Sequence, residues 1–83
     1  MEWNGKTVLV TGGSQGLGAT MSRLFAEAGA QVIVNCAHHL EKAEAVTAKI
    51  RNAGGSAAVK RFDISREAEV QKAFAEIEEQ YGG

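Results

Sequence analysis

The sequence predicts an α/β fold in which three short strands alternate with three helices and the strands form one parallel sheet. Three observations predict it. Two apolar, β-branched runs of strand length, KTVLVT (6–11) and QVIVNC (31–36), lie 19 residues apart. Apolar residues recur at helical spacing between and after them. Glycines stand where those periodic stretches stop. Strands alternating with helices of this length pack as a parallel sheet with right-handed crossovers, helices covering both faces.

Each element follows from its residues. Lys6 to Thr11 has the pattern of a strand buried on both faces. Leu17, Met21, Leu24, Phe25 and Ala28 then fall on one face of a helix, which Gly29 ends as a left-handed C-terminal residue. Gln31 to Cys36 repeats the buried-strand pattern. Leu40, Ala43, Val46 and Ile50 mark a second amphipathic helix, stopped by Gly54-Gly55. Ala57 to Asp63 reads as the third strand, with Lys60 and Arg61 its least strand-like residues. Ser65 is the expected N-cap of a third helix, whose stripe is Val70, Ala73, Phe74, Ile77 and Tyr81 before Gly82-Gly83.

Composition narrows the function classes. The chain has 83 residues, 45% of them hydrophobic, which describes one small globular domain. A domain of this size buries about 60–65% of the surface its unfolded chain exposes. Nine basic residues against ten acidic ones, without like-charge blocks, leave no electrostatic footprint for nucleic acid. The single cysteine, Cys36, excludes an internal disulfide and a multi-cysteine zinc cluster, and a cytoplasmic setting is expected. Met1 to Lys6 has no apolar leader pattern, and no run approaches transmembrane length.

The stretch TGGSQGLG (11–18) carries the chemistry. It joins the first strand to the first helix, where exposed N–H groups and the positive end of the helix dipole make an anion site. Glycines at such a junction allow a tight turn and close approach of a pyrophosphate. The spacing is T-G-x-x-x-G-x-G. The literal G-x-G-x-x-G fails, because from Gly16 the chain reads GLGATM, and a P-loop fails because no Lys-Ser or Lys-Thr follows.

TGGSQGLG after a buried strand resembles the cofactor loop of the short-chain dehydrogenase/reductase family. AEAGAQVIV (26–34) resembles that family's helix end and second strand, and Asp63-Ile64 resembles the acidic-aliphatic pair that lies against adenine. The resemblance runs from Lys6 to Gly83. It implies a Rossmann-like βαβαβα half with strand order 3-2-1. Residues 1–83 are then an N-terminal dinucleotide-binding portion without the catalytic and substrate-binding portion. It further implies that Gly12, Ser14, Gln15, Gly16 and Leu17 cradle the pyrophosphate and ribose, with Gly13 and Gly18 serving turn geometry and packing. Asp63 would accept a hydrogen bond from the adenine amine and Ile64 would contact the ring. Without the resemblance, Asp63 reads as a residue that helps to start the third helix.

An acid about 20 residues beyond the glycine loop binds the ribose 2′-hydroxyl and repels a 2′-phosphate. The second strand ends Asn35-Cys36-Ala37, and His38 and His39 follow, so no acid stands there. Cys36, Ala37 and His38 are the candidate ribose-facing residues, and NADP(H) is favoured over NAD(H). Gln15, in the loop, is neutral. The histidines either meet a phosphate by hydrogen bonding or stand as solvated loop residues. Cys36 reads as a small buried hydrophobe, and no metal site is expected, since adjacent histidines point apart.

Members of the family reduce carbonyls or oxidise alcohols by hydride transfer, using a Tyr-x-x-x-Lys pair and a serine. The 83 residues hold no such pair, and the only tyrosine, Tyr81, lies on an apolar helix stripe. No catalytic residue is assigned. Catalysis, with 3-oxoacyl reduction as the family-level guess, would need a missing C-terminal half. In the order 3-2-1 the first strand is an edge. Thr7 to Val10 then present an unpaired ladder, so self-association through that strand is expected. A non-catalytic nucleotide-binding or self-associating fragment is the other reading.

Overall fold

The computed structural model describes residues 3–12 and 16–81. Its elements run β1 (Thr7–Val10), α1 (Gly16–Glu27), β2 (Gln31–Cys36), α2 (Leu40–Asn52), β3 (Ser56–Arg61) and α3 (Glu67–Tyr81). The three strands form one parallel sheet in the order β1-β2-β3, the order expected. Val8 pairs with Val32 and Val10 with Val34, while Val32, Val34 and Cys36 pair with Ala57, Val59 and Arg61.

β2 lies between the other two strands, and Val32 to Cys36 are all buried. Its β-branched residues suit a pleated surface covered on both faces. Alternation along the strands sends Val10, Val32, Val34, Cys36 and Ala57 to one face, where Ala26 of α1 and Ala43 and Ile50 of α2 complete the core. The opposite face carries Leu9, Ile33, Ala58 and Lys60. There α3 is tied to the sheet by an ion pair between Lys60 and Glu76, and Phe74 and Ile77 share a cleft with Thr7 and Leu9. Two hydroxyls inside the helical layer are satisfied by the preceding turn: Ser22 Oγ donates to the Gly18 carbonyl at 2.9 Å and Thr47 Oγ1 to that of Ala43 at 2.8 Å.

Four expectations need correction. β1 is not buried on both faces: Thr7 is exposed and Val8 and Leu9 are half-buried, because among the described residues no strand pairs with its outer side. The α1 stripe is only partly covered. The buried residues of α1 are Ser22 and Ala26, neither of them in that stripe, whereas Leu17 is 75% and Leu24 54% exposed and Met21 is exposed too. The sheet stops at β1, so the side of α1 beyond that edge has no strand beneath it. β3 spans Ser56–Arg61 rather than 57–63. Phe62 N–H still reaches the Cys36 carbonyl at 3.0 Å, but Asp63 N–H turns to Glu69 Oε1 at 3.1 Å. Finally, Ser65 does not cap α3: its hydroxyl donates to Asp63 Oδ1 at 2.7 Å, and the helix begins at Glu67.

Candidate functional site

Parallel strands bring their carboxyl ends to one end of the sheet, where open α/β sheets bind ligands. Here that end gathers the glycine turn after β1, the Cys36-Ala37-His38 segment after β2 and Asp63 after β3. The 25-residue gap between His38 and Asp63 is thereby closed.

In the glycine turn, Gly12 has φ +65° and Gly16 φ +51°, a region that side chains with a Cβ rarely enter. Among the described residues, a Cβ at either position would meet no atom within 4 Å. The backbone conformation, rather than crowding by those residues, is what favours glycine there. α1 starts at Gly16 with no acidic residue in its first turn, so no carboxylate neutralises its exposed N–H groups. Leu17 projects outward from that turn. Ser14 and Gln15, with Gly13, lie outside the described residues. Gly18 is half-buried, and its carbonyl receives the Ser22 hydroxyl.

Asn35, a residue the sequence reading did not single out, holds this end of the sheet together. It is 3% exposed. Its Oδ1 lies 3.5 Å from the Gly12 N–H, and its Nδ2 donates to the carbonyls of Phe62 (3.0 Å), Lys60 (3.3 Å) and Cys36 (3.4 Å). One buried amide thus ties the exits of all three strands. The available signal was a polar residue inside an otherwise apolar run; the buried amide persists because its groups are paired.

The end of β2 carries no carboxylate. The Cys36 side chain belongs to the core, which leaves only its backbone for a ligand. Burial pushes its thiol up, opposed by the nearby Arg61 charge. Ala37 and His38 line an open cleft of about 450 Å³ with Arg61, Phe62, Asp63 and Arg66. Arg61 Nε donates to the Ala37 carbonyl at 3.3 Å. His39 sits at the N-cap of α2, where its carbonyl receives the N–H groups of Lys42 and Ala43 and its side chain caps nothing.

Asp63 fills the role of starting the turn into α3. Its Oδ1 accepts both the Ser65 hydroxyl and the Ser65 N–H, at 2.7 and 2.9 Å. Those two bonds, the hydroxyl first, hold its carboxyl below the usual range, helped by the positive charge of His38 and Arg66. This does not remove the carboxylate from the cleft, which it still lines. Ile64 is exposed beside it. The sequence-predicted residues Gly12, Gly16, Leu17, Ala37, His38, Asp63 and Ile64 therefore stand at one end of the sheet. Among the described residues, no group of three or more His, Cys, Asp or Glu could hold a metal ion, and no helix is long and apolar enough to cross a membrane.

Left-handed glycines and a helix with no acid in its first turn suit the phosphates of a dinucleotide. Residues 6–83 match the family model described as short chain dehydrogenase. The chain is 43% identical over 79 residues to the 2,5-dichloro-2,5-cyclohexadiene-1,4-diol dehydrogenase LinX of Sphingobium indicum, covering 95% of this chain and 31% of that protein. It is 38% identical over 74 residues to the 3-oxoacyl-[acyl-carrier-protein] reductase FabG of Aggregatibacter actinomycetemcomitans, covering 88% and 31%. A metagenomic short-chain oxidoreductase solved in complex with NADP superposes with a TM-score of 0.94 at 29% identity, over 99% of this chain and 37% of that one. The chain thus spans about a third of the length of the curated relatives it matches.

Proposed function

The chain belongs to the short-chain dehydrogenase/reductase family, and from that premise we propose that its 83 residues are the dinucleotide-binding portion of such an oxidoreductase, preferring NADP(H) to NAD(H). The pair of left-handed glycines at the N-terminus of α1 carries this reading. Gly12, Gly16 and the first-turn N–H groups of α1, with Ser14, Gln15 and Leu17, would hold the pyrophosphate and adjoining ribose. Ala37, His38 and the Cys36 backbone would face the adenosine ribose, and Asp63 and Ile64 the adenine. The missing acid at the end of β2 supports the NADP(H) preference. So does the NADP carried by a structural neighbour.

A bound nicotinamide dinucleotide supplies the hydride donor or acceptor. In this reading the residues of this chain bind and orient it; we assign none of them to polarise or deprotonate a substrate oxygen, a role left to groups outside these 83 residues. The reductase FabG among its relatives supports a 3-oxoacyl or similar carbonyl substrate for the assembled enzyme. One buried thiol and the lack of a long apolar helix among the described residues support a cytoplasmic setting.

Titration with NADPH and NADH, followed by calorimetry, tests this reading. Saturable NADPH binding that is lost in Gly12→Val is expected, since valine cannot adopt φ +65° without strain. Absence of binding by the unmodified chain at millimolar cofactor would overturn it.

A second reading rests on a separate observation. Among the described residues the outer side of β1 is unpaired, and exposed apolar residues stand on the helices at either face of the sheet, Leu24 on α1 and Phe74 on α3. Such a surface favours association through β1 with another copy of the chain.

A further inference from the structure

We propose that Arg61, the last residue of β3, is the cation that recognises the adenosine 2′-phosphate and so sets the NADP(H) preference. The assignment rests on the dinucleotide reading above and adds a residue 25 positions beyond the strand end where specificity is ordinarily sought. Arg61 pairs in register with Cys36, so its side chain leaves the sheet on the same face and at the same end as the position an NAD-selective acid would occupy. Its Nε donates to the Ala37 carbonyl at 3.3 Å, which fixes the guanidinium over the exit of β2. The two terminal nitrogens remain for an anion, in the fork geometry that suits phosphate.

The neighbouring cations are otherwise engaged. Lys60 is paired with Glu76 on the opposite face, and Arg66 with Glu69 at 3.4 Å. Among the described residues Arg61 forms no ion pair, and it lines the same cleft as Ala37, His38 and Asp63. Its planar fork of donors matches a phosphate bidentately, which a single imidazole cannot do, so a dianionic phosphate gains more from Arg61 than from His38.

The test uses two adenosine nucleotides that differ only in the 2′-phosphate: adenosine 5′-monophosphate and adenosine 2′,5′-bisphosphate. Calorimetry on the 83-residue chain is expected to show tighter binding of the bisphosphate. Arg61→Gln should weaken the bisphosphate about tenfold or more, the scale of one charge-assisted bidentate contact, and leave the monophosphate within about twofold. His38→Gln should move the bisphosphate by less than about threefold. Circular dichroism checks folding, and Arg61→Met gives the same readout should the glutamine variant unfold. A bisphosphate affinity that survives loss of Arg61, or a loss shared equally by both nucleotides, overturns the assignment. Equal binding of both nucleotides by the unmodified chain overturns it while leaving the dinucleotide reading intact, and binding of neither overturns both.

Discussion

The two edges of the sheet are built differently. β3 ends in Lys60 and Arg61, one held by Glu76 and the other by the Ala37 carbonyl, and α2 packs along the strand with Ile50 in the core. β1 is the uncharged run Thr7–Val10. Leu17 and Leu24 on α1 stand exposed, as does Phe74 on α3, which shares a cleft with Thr7 and Leu9. Charged residues on an edge strand discourage pairing with another chain, and apolar ones invite it. The lesson is that one edge finishes this fold and the other presents an unfinished surface.

The largest expected effect breaks the finished side. Ile50 is 2% exposed between α2 and the sheet. Ile50→Ala should cost roughly 2–5 kcal/mol, the usual range for a buried aliphatic truncation, read from the urea midpoint. A loss below about 1 kcal/mol would mean the site can collapse around the cavity, and that this side is no better packed than the other.

A smaller effect is expected on the unfinished side, and it should fall on assembly rather than stability. Leu24→Lys combined with Phe74→Lys should convert a concentration-dependent oligomer into a monomer by light scattering. Folding stability should stay within about 0.5 kcal/mol, as for surface substitutions. A monomeric unmodified chain at high micromolar concentration would remove β1 as an association edge.

The smallest effect sharpens the comparison at the exit of β3. The Asp63 carboxyl titrates below its ordinary value of 3.8 because the folded chain gives it the Ser65 hydroxyl and N–H. Its contribution to stability is therefore complete above the unfolded value and is lost as the pH falls through the lower folded value. The stability difference between the unmodified chain and Asp63→Asn should be constant near neutrality and shrink below about pH 4. A difference that persists unchanged into strong acid would show that the carboxylate charge plays no part in the turn.

Much of this was legible residue by residue. The β-branched runs marked β1 and β2, helical spacing marked α1 to α3, and Gly29 and Gly54 ended two helices at positive φ as expected. The glycine turn was legible as a turn because its glycines had no use inside a strand or helix, and Gly12 and Gly16 take positive φ there. Other features were hidden for physical reasons. Periodicity identified the apolar stripe of α1 but not whether anything lies beneath Leu17 and Leu24. Ser65 had the chemistry of an N-cap, yet Asp63 two residues earlier captured its hydroxyl. Arg61 was among the least strand-like residues of its run, and only its register with Cys36 placed it at the carboxyl end of the sheet.

Local chemistry, then, is what the sequence determined by itself: strand and helix composition, the glycine turn, and the absence of an acid after β2. These depend on residues a few positions apart, and backbone propensity and side-chain spacing act at that range. Tertiary structure alone decided which surfaces are closed and which groups share the carboxyl end of the sheet. Asn35 meets Gly12 and Phe62, and Arg61 meets Ala37, only because parallel pairing brings segments 23 to 27 residues apart into register.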